Sequence, residues 1–118
     1  MFRVMCKSKI TGASITDKKL YYDGSIGIDK RVIELADILP GEQVHVLNVN
    51  NGERFTTYVI EEAPNSGKII LYGPAARMGE EGDELVILSY CMLSPEKCEK
   101  FKYKVARLSK QNKIFRAK

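Results

Sequence analysis

The sequence predicts a mainly β protein with short helices, folded as one small barrel that is closed or nearly closed. Short runs of β-branched and aromatic residues alternate with turn residues along the chain, a pattern typical of strands. Helical periodicity is confined to a few short segments, and 118 residues provide one hydrophobic core, so a single domain over residues 1–118 is expected. Six or more short strands with so little helix favour a barrel, in which strand edges are paired.

The first third of the chain is predicted to form two strands and one short helix. The strand candidates are residues 2–8 and about 13–22. Asp29 can cap a helix through Ala36, because the apolar residues between them are spaced for one buried face.

The middle of the chain is predicted to form a β-hairpin followed by another strand. Two strand-like runs, 43–49 and 54–60, flank Asn51-Gly52, and Asn-Gly between such runs is a strong hairpin signal. A further strand is predicted at 68–72, after a turn that contains proline and glycine.

The last third is predicted to return to strands after a short turn. Residues 73–77 form a loop or a short helical turn, and 84–93 form a buried strand. Ser94 can cap a short helix with Pro95 in its first turn, and about 102–116 are predicted to form a final hairpin.

Composition disfavours several classes of protein. The chain is 44% hydrophobic and 29% charged, which is ordinary for a globular protein and argues against general disorder. Apolar stretches such as 85–88 are far shorter than the roughly 18 residues that a membrane span needs, so no membrane partner is expected. Arg3 and Lys7 interrupt the region that is apolar in a secretory signal, and a cytoplasmic protein is therefore expected.

Cysteine and histidine usage predicts neither a disulfide framework nor a metal site. The three cysteines, Cys6, Cys91 and Cys98, are odd in number, so reduced thiols are expected. The only histidine, His45, lies far from them in sequence, which disfavours a metal site. A single histidine also makes a Ser-His-Asp triad a poor hypothesis.

The excess positive charge lies at the C-terminal end. The net charge is +4, and residues 96–118 hold nine Lys or Arg against two Glu. Within this basic tail, residues 100–105 alternate cationic and apolar side chains with the period of a strand. Such a face could contact phosphates, but a lysine-protected edge strand explains it at least as well. No groove-entering motif accompanies the charge, so no nucleic-acid partner is predicted.

Conventional catalytic motifs are scarce, and one Gly-Ser peptide remains. The sequence has no Gly-rich phosphate loop, metal-ligand cluster or Cys/His pair. Gly24-Ser25 lies between a strand candidate and the Asp29-capped helix. Glycine before serine is common in tight turns, so local turn chemistry alone favours an ordinary β-turn here.

Five segments change that interpretation, because they occur together in a set order and spacing. They are Lys-Ser-Lys-Ile at 7–10, Ala-Ser-Ile-Thr at 13–16, Leu-Tyr-Tyr-Asp-Gly-Ser-Ile-Gly-Ile-Asp at 20–29, Asn-Val-Asn-Asn-Gly-Glu-Arg-Phe-Thr-Thr-Tyr at 48–58 and Gly-Pro-Ala-Ala-Arg at 73–77. Over most of its length the chain closely resembles the pyruvoyl-dependent L-aspartate alpha-decarboxylases. The resemblance implies a double-psi β-barrel assembled as a homotetramer.

The resemblance also implies that the chain is a proenzyme. The Ser25 hydroxyl would attack the Gly24 carbonyl, and β-elimination would then leave a β chain of residues 1–24 and an α chain of 25–118. Ser25 would become a pyruvoyl group, which serves as the cofactor and forms a Schiff base with the substrate. The implied reaction converts L-aspartate to β-alanine and CO2 and feeds pantothenate and coenzyme A synthesis.

Site residues follow from the same resemblance. Thr57 would assist self-cleavage as a hydroxyl donor and contact the substrate, and Tyr58 would protonate the product carbon. Lys9 and Arg54 would bind the substrate carboxylate that remains. The loop whose backbone contacts the substrate would be Gly73, Pro74 and Ala75. From the residues alone, a strand threonine, a barrel-face aromatic and surface charges near a hairpin remain open alternatives.

The chain departs from the family pattern in two places. Thr11 and Gly12 stand where members commonly have histidine and arginine, and Tyr72 and Pro74 stand where asparagine and alanine are common. Their effect on the self-cleavage rate and substrate choice stays open, as does the need for a maturation partner. Two alternative functions also stay open: a non-catalytic barrel that binds a partner through the basic tail 96–118, and a pyruvoyl decarboxylase for another amino acid.

Overall fold

The computed structural model describes residues 1–115, which form eight strands and four short helical segments. The strands are β1 Arg3–Ser14, β2 Asp17–Lys19, β3 Ser25–Asp29, β4 Gln43–Asn48, β5 Arg54–Glu62, β6 Ile69–Tyr72, β7 Glu84–Leu93 and β8 Lys104–Arg107. The helices are α1 Lys30–Leu35, α2 Pro95–Cys98 and two 3-10 helices, Gly73–Met78 and Lys110–Asn112. No helix within residues 1–115 has both the length and the apolar character needed to cross a bilayer.

The strands form one continuous sheet in the order β2-β6-β3-β5-β4-β7-β1-β8. Three neighbouring pairs are parallel, namely β2 with β6, β3 with β5 and β1 with β8, and the others are antiparallel. In the described part of the chain, no ladder joins β2 to β8. The predicted mainly β fold with short helices is confirmed, and the sheet is consistent with a small barrel that strand pairing does not close.

One face of the sheet forms the hydrophobic core. Ile10 of β1, Ile87 of β7 and Val46 of β4 are register partners, and all three are fully buried. Alternate residues of β7 are buried, so this predicted strand contributes one face to the core rather than being buried on both faces. Because burial of each such side chain stabilises the fold by roughly 1.5–3 kcal/mol, these rows hold the strands in register.

The predicted helix cap and the predicted hairpin are both confirmed. The Asp29 side chain accepts a hydrogen bond from the Arg31 amide at 2.9 Å, and it also accepts from the amides of Asn65 and Gly67. It therefore ties the loop after β5 to the end of β3. The hairpin of β4 and β5 turns at Gly52, which has a φ of +77°.

The first strand is longer than predicted. We expected strands at 2–8 and about 13–22, whereas β1 runs from Arg3 to Ser14 and only Asp17–Lys19 follows as β2. Two β-bulges, between Cys6 and Ser8 and between Ile10 and Ala13, allow β1 to continue its pairing with β7.

The predicted C-terminal hairpin over about 102–116 forms over a shorter range, where the amides of Ser109 and Phe115 donate to the carbonyls of Lys113 and Arg107. Only β8 forms as a strand, parallel to β1, and Leu108 and Ile114 make a single isolated bridge. The Asn112 side chain donates to the carbonyls of Ser14 and Gly67, which holds this turn against the barrel, and Gln111 and Asn112 have left-handed backbone with φ of +62° and +56°. The alternation at 100–105 is not one strand, since β8 begins at 104; the end of the expected hairpin and of the basic tail, 116–118, lies outside the described residues.

Candidate active site

A groove lies between the start of β3, strand β5 and the 3-10 helix Gly73–Met78. Its volume is about 470 Å³. It brings together five of the residues that the sequence singled out, and three further side chains complete its walls. The lining residues are Gly24, Phe55, Thr56, Thr57, Tyr58, Pro74, Ala75 and Met78.

Strand pairing explains why these distant segments meet. Strands β3 and β5 are parallel, with Ile26 opposite Val59, so the residues just before Ile26 run beside Thr57 and Tyr58. On its other side β3 is antiparallel to β6, and Ser25 is the register partner of Tyr72. The Gly24-Ser25 peptide therefore lies at the mouth of the groove with a strand on each side.

Ser25 is buried, yet its hydroxyl is not engaged. The residue is 3% exposed, and within residues 1–115 its side chain makes no hydrogen bond. Gly24, immediately before it, is exposed and lines the groove. The arrangement places a hydroxyl without a competing partner next to the carbonyl that precedes it.

Gly73 packs directly against this peptide. It has a φ of +67°, and a Cβ at this position would overlap the Tyr22 carbonyl oxygen and lie 2.9 Å from the Gly24 Cα. Pro74 continues the contact, since a Cβ on Gly24 would lie 3.5 Å from the Pro74 Cδ. Only glycine at 73 permits so close an approach of two backbones.

The two predicted β5 residues lie on opposite faces of that strand but border the same groove. Thr57 is half-buried, whereas Tyr58 is 42% exposed. In the described residues, neither side chain forms a hydrogen bond. Their hydroxyls are therefore available to a reacting group or a ligand.

The structure does not bring the two predicted cations into this groove. Arg54 is exposed, and its Nη2 donates a hydrogen bond of 3.4 Å to the Tyr90 hydroxyl. The Tyr90 ring in turn packs against His45, with ring centroids 4.9 Å apart. Lys9 is separated from the Thr56 edge of the groove by β7 and β4, a distance of about 14 Å at the usual strand spacing.

The sequence did not assign a partner to Tyr72. Its hydroxyl donates a hydrogen bond of 2.7 Å to Glu62 Oε2. Burial, followed by the hydrogen bond and the negative charge of Glu62, raises the pKa of Tyr72 to about 12. Tyr22, two residues before Gly24, packs its ring against Tyr72 with centroids 5.3 Å apart. The sequence singles out Tyr72 as a departure from the family pattern. Its partner Glu62 is identified only by the pairing of strands that are distant in sequence.

Comparison with known proteins gives consistent matches along the chain. A family model described as aspartate decarboxylase matches residues 1–115. An aspartate 1-decarboxylase from Thermoanaerobacter pseudethanolicus is 50% identical over 113 residues, covering 96% of this chain and 97% of the relative. The corresponding proteins of Kosmotoga olearia and Syntrophus aciditrophicus are 54% and 46% identical, covering 81% and 97% of this chain and 84% and 98% of their own.

Proposed function

This chain belongs to the aspartate decarboxylase family, and from that premise we propose that it cuts itself at Gly24-Ser25 and then decarboxylates L-aspartate to β-alanine and CO2. The observation that carries the proposal is the Ser25 hydroxyl, which makes no hydrogen bond within residues 1–115 and belongs to a residue that is 3% exposed, beside a glycine carbonyl at the mouth of a groove. Serine is a weak nucleophile at neutral pH, so enforced proximity is the main contribution that the fold can make.

In the first step the Ser25 Oγ attacks the Gly24 carbonyl carbon. The new C–O bond forms, the C–N bond breaks, and the hydroxyl proton passes to the Ser25 nitrogen, which leaves an ester. The Thr57 hydroxyl, uncommitted within residues 1–115, donates to the oxyanion that develops on the carbonyl. Gly73 holds the peptide from the opposite side, so that the carbonyl stays within reach.

In the second step the ester is eliminated. The Ser25 Cα loses a proton, the Cβ–Oγ bond breaks, and Gly24 leaves as a carboxylate at the end of the 1–24 chain. Water then adds to the dehydrated residue and ammonia departs, so that the 25–118 chain begins with a pyruvoyl group. These steps use only the chain's own atoms and water.

The groove is suited to the chemistry that such a group supplies. A pyruvoyl ketone condenses with an amino group and draws in the electrons released as CO2 leaves. The substrate carbon then needs a proton, and the Tyr58 hydroxyl, which lines the groove, donates it. Phe55 and Met78 provide apolar walls that limit water around the reacting carbon.

Lys9 and Arg54 are proposed to meet the substrate of a second copy of the chain. Both lie outside the groove of their own chain, so we place them across an interface of a homotetramer, where they bind the substrate's second carboxylate. Exposed apolar residues support assembly: Val4 and Met92 are register partners on β1 and β7, and each is about two-thirds exposed. We further propose that the product supplies pantothenate and coenzyme A synthesis in the cytoplasm.

Intact-mass spectrometry of the full chain tests the proposal. After warm incubation we expect two chains, 1–24 and 25–118, with the longer one carrying pyruvoyl in place of serine. The Ser25→Ala variant should stay whole, whereas the control Ser109→Ala, at an exposed serine far along the chain, should cleave normally. β-Alanine should form from L-aspartate only in cleaved material, and a panel of other amino acids measures selectivity. An uncleaved chain that decarboxylates L-aspartate would contradict the proposal.

A further inference from the structure

Glu62 and Tyr72 form a partly buried bridge over strand β3. Glu62 ends β5 and Tyr72 ends β6, and these two strands flank β3. Their side chains meet above Gly27, where an added Cβ would lie 2.8 Å from the Glu62 Cδ. The missing side chain at 27 therefore provides the space in which the Tyr72 hydroxyl reaches the Glu62 carboxylate at 2.7 Å.

This bridge is anchored beside the cleavage peptide. Tyr72 and Ser25 are register partners, so their Cα atoms are about 4.5–5.5 Å apart and their side chains lie on the same face of the sheet. Both are nearly buried, at 8% and 3% exposed. The next residue, Gly73, is the one that packs against Gly24. The hydrogen bond of the Tyr72 side chain thus fixes the last residue of β6, immediately before Gly73 contacts the reacting peptide.

We propose that Glu62 and Tyr72 are positioning residues for self-cleavage, which hold β6 and Gly73 so that the Ser25 hydroxyl stays in line with the Gly24 carbonyl. The inference rests on the proposed function. The acceptor is a carboxylate, and hydrogen bonds to a charged acceptor are shorter and stronger than neutral ones. A tyrosine hydroxyl is protonated at neutral pH, so the donor is present when the chain processes itself, and the raised pKa of Tyr72 extends this into the alkaline range.

The first experiment compares self-cleavage rates of freshly purified full-length precursors by intact-mass spectrometry. Tyr72→Phe keeps the ring and removes the hydrogen bond, and we expect cleavage about tenfold slower, the factor for loss of one charge-assisted hydrogen bond. Glu62→Gln keeps an acceptor without its charge and should slow cleavage less. The matched controls Tyr103→Phe and Glu61→Gln alter exposed residues and should cleave at the unmodified rate. Unchanged rates for Tyr72→Phe and Glu62→Gln would overturn the inference.

A second set of measurements separates positioning from loss of stability. Because the two side chains act as one unit, the Tyr72→Phe, Glu62→Gln double variant should cleave no more slowly than Tyr72→Phe alone. Additive slowing would contradict the inference. Ile87→Val, a core change on β7, should lower the melting temperature and leave the cleavage rate unchanged. If Ile87→Val is as stable as Tyr72→Phe and cleaves equally slowly, the positioning role is contradicted.

Hydroxylamine identifies the step that is affected, because it cleaves esters rapidly and amides slowly. If the pair positions the attacking hydroxyl, uncleaved Tyr72→Phe precursor still carries the amide and resists hydroxylamine. Rapid cleavage would show an accumulated ester and a defect in elimination, which would overturn the inference. Failure of the unmodified chain to cleave would instead refute the proposed function, so the two failures are distinguishable.

Discussion

Replacing Gly73 with alanine should damage both stability and self-cleavage, and Gly52 provides a matched control. Both glycines have left-handed backbone, with φ of +67° and +77°, so alanine at either position costs about 1–2 kcal/mol of conformational strain. A Cβ at 52 meets no atom of residues 1–115 within 4 Å, whereas a Cβ at 73 would overlap the Tyr22 carbonyl oxygen and crowd Gly24. The overlap should add about 1–3 kcal/mol, the usual range for overpacking.

Urea denaturation measures the difference in free energy of unfolding. Both variants are compared in a Ser25→Ala background and at equal protein concentration, so that cleavage and assembly do not alter the reference state. Gly73→Ala should be less stable than Gly52→Ala by about 1–3 kcal/mol. In chains that keep Ser25, Gly73→Ala should cleave about a hundredfold more slowly, since a misplacement near 1 Å has that effect on reacting groups. Equal stability and equal cleavage rates for the two variants would refute the reasoning.

Three further predictions concern single hydroxyl or charged groups. Thr57→Val should slow self-cleavage by about 10²–10³-fold, as for loss of one oxyanion donor, when followed by mass spectrometry. Tyr58→Phe should cleave normally but form β-alanine about 10²–10⁴-fold more slowly, as measured by chromatography; normal turnover would exclude it as the proton donor. Burial and Glu62 raise the pKa of Tyr72 from 10.0 to about 12, so its contribution to stability is complete below pH 10 and is lost as the pH rises to 12. Between pH 10 and 12, the free energy of unfolding of Tyr72→Phe should therefore fall less than that of the unmodified chain. An identical fall would contradict the raised pKa of Tyr72.

Local chemistry made the central elements of the fold predictable. The hairpin at Asn51-Gly52 and the helix capped by Asp29 depend on residues within a few positions of each other, and both formed as expected. The β1 bulges and the parallel pairing of β8 depend on contacts between distant segments. The Asn112 side chain lies in the turn of the short C-terminal hairpin and binds Ser14, a contact that strand periodicity does not encode.

The candidate site likewise combines residues that the sequence predicts with residues whose positions depend on long-range strand pairing. Gly24, Thr57 and Tyr58 belong to segments with recognisable spacing, and the structure brings them to one groove. Arg54 lies on the same face of β5 as Tyr58, and its bond to Tyr90 depends on the pairing of β4 with β5 and β7, a register that sequence spacing does not set. The sequence does not indicate the partner of Tyr72 either, because Glu62 lies on the other side of β3 in the sheet.

Reduction with borohydride in the presence of L-aspartate tests the central chemistry most directly. Tandem mass spectrometry of the treated protein should find the substrate-derived adduct on the first residue of the 25–118 chain and nowhere else. An intact 1–118 chain with an unmodified Ser25 that still releases CO2 from L-aspartate would contradict it.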